Sequence, residues 1–302
     1  MRELAIVVSN DNTTVTPFET IDAIAAAGFR KIFFQWYNRP WEITQEQQLA
    51  YARLKGLTVI FAHLGYKGLN AIWAAGDEGE QLTEGYLRDL DVMRDNGIGH
   101  VVMHLNGKLE APPYGPVGLE RFQRIVDRAA QNGIYISFEN TKLKGYHEYL
   151  LDRLHGDNFG ICLDGGHLHC HFSDDWCFDR FAGRITAVHL HDNDGRDDLH
   201  LLPFDGAANW EDNMCRLNRL CRAGHAGMLL SPPISCADER RRVLPRGLCT
   251  RAKAGRPARR RISGQKQYSL YYPVLNITKR PPYQQPDTEV FCFAEYRRRR
   301  LL

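Results

Sequence analysis

The chain has 302 residues, 43% of them hydrophobic, and a formal net charge of +3, a composition that suits a globular fold with a sizeable core. No apolar run approaches the ~18 residues of a membrane span, and the first one, residues 4–8, is too short for a secretory signal, so a cytoplasmic protein without a membrane partner is expected. The eight cysteines, Cys162, Cys170, Cys177, Cys215, Cys221, Cys236, Cys249 and Cys292, contain no C-x-x-C pair and read as reduced thiols rather than a disulfide framework.

In chain order, residues 4–8 predict a first strand and 17–27 the helix after it. Strands follow at 31–35, 58–63, 100–105, 134–139, 159–164 and 185–191, each an apolar, β-rich run. Helical spacing occupies 44–55, 80–96, 119–132 and 210–223. Glycines close several of these helices (Gly28, Gly56, Gly97, Gly133 and Gly224), as left-handed helix ends favour. A strand every ~25 to 30 residues with helices between predicts repeated βα units. Residues 226–230 begin an eighth strand, and there the pattern stops.

The charge changes at the same point. After Met228 there are 17 Lys and Arg against 5 Asp and Glu, a net +12, so the residues up to Met228 carry −9. Eight of the 14 prolines also fall in that last part. Two units are therefore expected: a barrel over residues 1–228 and a basic, Pro/Arg-rich tail over 229–302, too polar to offset the entropy of ordering. A departure of the reading frame near Met228 accounts for such a tail, and so does a basic segment that binds nucleic acid.

The strand ends carry the chemistry. His63, His104, Glu139 and Asp164, the last followed by His167, then His189, close five successive strands, and Asp198 with His200 follows on a Gly/Asp-rich loop. In a parallel barrel such ends converge at the C-terminal face, where clustered carboxylates would repel one another unless a cation lay between them. Phe138-Glu139-Asn140-Thr141, Gly160 to His167, and Val188-His189-Leu190-His191-Asp192 with Asp198-x-His200, together with His63-x-x-Tyr66 and Asn70, resemble the xylose isomerase-like TIM-barrel superfamily. That superfamily includes sugar and sugar-phosphate isomerases and epimerases, inosose dehydratases and endonuclease IV.

The resemblance implies a (β/α)8 barrel with its eighth βα unit missing or replaced by a divergent tail. It implies a divalent metal (Mn2+, Co2+, Mg2+ or Zn2+) on Glu139, Asp164 and His189, with His63, His104, His167, Asp198 and His200 completing a multi-metal set. Glu139 and His167 are the expected acid/base residues, moving a proton through an enediolate. Trp36 and Tyr66 are expected to stack on the substrate, with Tyr37, Trp41 and Trp73 nearby. The chain departs from the superfamily twice. Strand eight lacks its usual metal-bridging glutamate, which puts activity in doubt, and Gly165-Gly166 stands where the endonuclease branch has Thr-Cys. An acidic front suits a small polyol or sugar better than a nucleic acid. A phosphodiester hydrolase like endonuclease IV is the alternative, and a defective barrel a third, its open ladder between strands one and seven inviting a homo-oligomer.

Overall fold

The computed structural model describes residues 4–8, 15–36, 43–107, 110–172 and 178–228. Eight parallel strands, β1 (Leu4–Val8), β2 (Lys31–Trp36), β3 (Thr58–Leu64), β4 (His100–His104), β5 (Tyr135–Glu139), β6 (Phe159–Asp164), β7 (Ile185–Leu190) and β8 (Cys221–Met228), close into a barrel in sequence order. Outside it run α1 (Pro17–Ala26), α2 (Gln45–Leu54), α3 (Asp77–Asp95), α4 (Pro116–Gln131), α5 (Tyr146–Leu151), α6 (Gly165–His171) and α7 (Trp210–Leu220). Thr16 and Thr44 cap α1 and α2 with reciprocal capping boxes to Glu19 and Gln47, and α4 starts on Pro116, whose missing N–H costs nothing there.

The strand alternation of two builds two cores. A large layer between strands and helices holds Ile32, Phe34, Trp36, Leu64, Phe122, Phe138, Ile161 and Leu190, while a small cluster of Ala5, Val7, Phe33, Phe61, Val102, Cys162 and Ala187 fills the barrel interior. Inward and outward residues of one strand thus belong to different cores. Phe33 and Phe61, with centroids 4.5 Å apart, lie 5.7 and 5.8 Å from the His189 ring, a greasy floor beneath the C-terminal mouth.

Three expectations need correction. The ladder between the first and seventh strands is not open: β8 pairs with β7 through Ala187↔His225 to Leu190↔Met228 and with β1 through Leu4↔Ala226 to Ile6↔Met228. Among the described residues the eighth unit is a strand without its helix, and the predicted tail over 229–302 lies outside them. Next, the helix of 210–223 ends at Leu220, so Gly224 sits within β8 rather than after a helix. Finally, Trp36 shares the outward phase of Ile32 and Phe34 and is 5% exposed, packed in the outer core rather than presented at the mouth. Trp73 is likewise buried, its indole N–H donating to Leu105 O. Tyr37 and Trp41 lie outside the described residues.

Candidate metal centre

The inward phase of each strand determines what reaches the mouth. On β7 the residues Ala187, His189 and His191 share one face, on β6 Cys162 and Asp164, on β5 Ser137 and Glu139, and on β4 Val102 and His104, so the last inward residue of each strand points into one cavity. All eight predicted ligands meet there. The buried Glu139 carboxylate is their hub: Oε2 faces His63 Nε2 at 2.9 Å and His104 Nε2 at 3.2 Å, and Oε1 faces Nδ1 of His167 and of His189, each at 3.2 Å. Asp164 Oδ2 stands 3.5 Å from His189 Nδ1.

Asp164 also begins α6, accepting the His167 backbone N–H at 2.7 Å as its N-cap. Asn140 braces it, donating to Asp164 O at 3.0 Å and accepting Asp164 N–H at 2.7 Å. Beyond α6, His167 Nε2 lies 3.0 Å from Asp198 Oδ2, and Asp198 Oδ1 lies 3.3 Å from His200 Nε2. Asp192 organises the loop that carries these two. Its buried carboxylate accepts backbone N–H groups of Asn193, Phe204 and Ala208 and the Trp210 indole N–H, at 2.7 to 3.1 Å.

His191 is absent from the expected ligand set, although its i, i+2 spacing from His189 signals the same face. Its Nε2 contacts both Asp164 oxygens, at 2.9 and 3.1 Å. Tyr66 sits at the mouth, 44% exposed and stacked on His104 at 4.4 Å.

The electrostatics are those of a cation site. Burial alone would raise the Glu139 carboxyl, but His189 and His104 outweigh it and hold it well below the usual carboxylate range. His167 behaves conversely: burial disfavours its charge, yet Asp164, Asp198 and Glu139 hold the imidazole well above its ordinary value. Glu139, Asp164 and Asp198 are thus held low, and His167 and His189 high, by one another's charges.

A divalent ion fits these residues better than protons do. The Nδ1 atoms of His63 and His167 face the carbonyls of Leu64 and Asn140 at 2.9 and 2.8 Å, so each donates there and turns its Nε2 toward a carboxylate, the arrangement of metal-ligating histidines. Among the described residues, neither ring nitrogen of His189, nor His191 Nδ1, nor Asp198 Oδ1 has a hydrogen-bond partner, though all are buried; buried polar atoms are rarely left so. Three overlapping donor groups result: His63, Glu139 and His189; Glu139, Asp164 and His167; and His167, His191, Asp198 and His200.

Residues 21–224 match the family described as xylose isomerase-like TIM barrel. A stretch of 98 residues is 37% identical to an uncharacterized protein, y4fM, of Sinorhizobium fredii, covering 30% of this chain and 28% of that protein. Solved structures share the fold at low identity. An L-ribulose 3-epimerase gives a TM-score of 0.63 at 17% identity, covering 83% of this chain and 89% of that one. A family 2 AP endonuclease from Brucella melitensis gives 0.59 at 17%, covering 78% and 95%. The IolI protein with a bound zinc atom gives 0.59 at 14%, covering 76% and 90%.

Proposed function

Because the chain belongs to the xylose isomerase-like TIM-barrel family, we propose that it is a divalent-metal-dependent isomerase or epimerase acting on a small polyhydroxylated substrate, a sugar or sugar phosphate. The observation that carries this reading is Glu139, a buried carboxylate whose two oxygens face four imidazoles from separate elements. The reaction class is supported by the names of fold neighbours, the L-ribulose and D-allulose 3-epimerases.

Glu139, Asp164 and His189 would hold the ion, with His63 and His104 on the far oxygen of Glu139. An imidazole-rich set with two carboxylates suits Zn2+, Co2+ or Mn2+ better than Mg2+. When bound, such an ion draws electrons from adjacent substrate oxygens and acidifies the C–H beside them. Glu139 takes that proton and returns it to the neighbouring carbon. His167, with Nδ1 3.2 Å from Glu139 Oε1, steadies the carboxylate as the proton comes and goes. Tyr66 offers its ring face at the mouth, and the Phe33–Phe61 floor excludes water from below. β8 contains no Asp or Glu as far as Met228. A single base shuttling a proton on one face of the substrate, as an aldose–ketose isomerisation needs, therefore fits these residues better than inversion between two opposed acids.

In D2O with Mn2+ or Co2+, a ketose, sugar phosphate or inositol derivative should exchange a substrate C–H for C–D, and Glu139→Gln should slow this on the order of 1000-fold. Elemental analysis should find less metal in Asp164→Ala than in wild type; equal content in both overturns the reading. The His167, His191, Asp198 and His200 group favours a second reading, a multi-metal phosphodiester hydrolase. Metal-dependent nicking of abasic DNA that Glu139→Gln abolishes would establish it. Against it, the −9 charge of the front supplies few cations for phosphate contacts.

A further inference from the structure

Resting on that reading of the mouth as a metal site, we propose that His191 is the fourth ligand of a second, coordinatively closed cation site formed with His167, Asp198 and His200, which ties the loop after β7 to the barrel and takes no substrate oxygen. Donor atoms of these four residues lie within 4.8 Å of one another. Three imidazole nitrogens and one carboxylate oxygen match the four-coordinate sets that hold structural zinc, whereas a catalytic ion needs a vacant position. His191 is 1% exposed. Its Nε2 lies between the two groups, 2.9 Å from Asp164 Oδ1 and 3.7 Å from Asp198 Oδ1. One nitrogen cannot both donate a proton to Asp164 and bind a cation. Filling the second site therefore releases Asp164 to the ion at Glu139 and His189.

Two independent features point the same way. His200 has φ 51° and Phe204 φ 74°, left-handed conformations that few residues other than glycine adopt, and that are costly for phenylalanine in particular. Asp192 pins this strained loop so that His200 meets His191 with ring centroids 4.3 Å apart. On the opposite side, a Cβ at position 166 would collide with the His191 ring. The glycine that departs from the endonuclease pattern is what lets His191 reach this place.

Full-length protein stripped of metal would be titrated with Co2+ alone, following bound equivalents by equilibrium dialysis and the visible spectrum. Wild type should bind a second equivalent with the intense bands of four-coordinate cobalt. His191→Gln, which keeps a donor for Asp164, should weaken that equivalent on the order of 100-fold and bleach those bands. His200→Ala should lose the same equivalent and serves if His191→Gln does not fold. A second equivalent with wild-type affinity and spectrum in His191→Gln, or with only the weak bands of six-coordinate cobalt in wild type, overturns the proposal. Loss of the first equivalent is read separately, in Glu139→Gln; its persistence there would count against the function proposed above and leave His191 untouched.

Discussion

Burial keeps His147 neutral: it pushes the imidazole down to about 4, outweighing the Phe138 carbonyl, which accepts from Nε2 at 3.2 Å and by itself favours the charged ring. The unfolded chain protonates such a ring near 6.5, so it binds more protons than the folded protein between these values. The stability tied to His147 is complete above pH ~6.5 and is lost as the pH falls toward ~4. Between about pH 7 and pH 5 the loss should be about 2 kcal/mol. Urea titrations at both pH values should show a flatter dependence for His147→Gln, which keeps a donor toward Phe138 without titrating; equal slopes would show that the ring is not held neutral. At this scale, residue type alone marked the side chains that converge on Glu139, because carboxylates and imidazoles closing five successive strands all point to one mouth. Trp36 and His191 depart from the expected set for one common reason: strand phase, which turns Trp36 outward and His191 inward, matters more than proximity to a loop.

Elements with strong periodicity were legible to within a few residues: α1 to α4 and the first seven strands follow the apolar pattern. The short helices α5 and α6 were not. Gly165-Gly166-His167-Leu168-His169-Cys170-His171 has poor intrinsic helix propensity and folds as a helix because Asp164 caps it and His167 is anchored at both ring nitrogens. The loop from Asp192 to Trp210 likewise has no periodicity, and its order comes from the four donors converging on Asp192. Asp192→Asn replaces one acceptor oxygen with a donor and leaves buried N–H groups unsatisfied, so it should cost about 3 kcal/mol. Thermal unfolding should register that loss, and metal analysis should show fewer equivalents bound even though Asp192 is not itself a ligand. A stable variant with full metal content would mean that the loop holds its shape without this carboxylate.

For the whole molecule, a parallel barrel was readable from the repeat of βα units, but its closure was not. Cys221-Arg222-Ala223-Gly224-His225-Ala226-Gly227-Met228 has neither β-branched residues nor alternation, and it becomes a strand because β7 and β1 both offer unpaired edges. Ending the chain after Leu220 should therefore abolish cooperative urea unfolding, since two lost ladders compare with the whole of a domain's ~5–15 kcal/mol. With the unit boundary proposed at Met228, ending it after Leu230 should preserve the transition. A cooperative transition of equal midpoint in both would show that β8 contributes nothing to stability.

Leu4 pairs with Ala226, and bringing together ends roughly 220 residues apart costs about 5 kcal/mol of chain entropy, more than any pairing between successive strands. Such long-range pairings come late in folding. The donors around Glu139 come from β3 to β7, each strand pairing with its successor in the chain, so they can gather while the far edge is still unjoined. A nascent chain that has not yet produced β8 already displays them to the ions of the compartment where it is being synthesised. On the metal-dependent reading proposed above, the ion taken up would then be set by what is abundant at the ribosome as much as by the affinity of the finished protein.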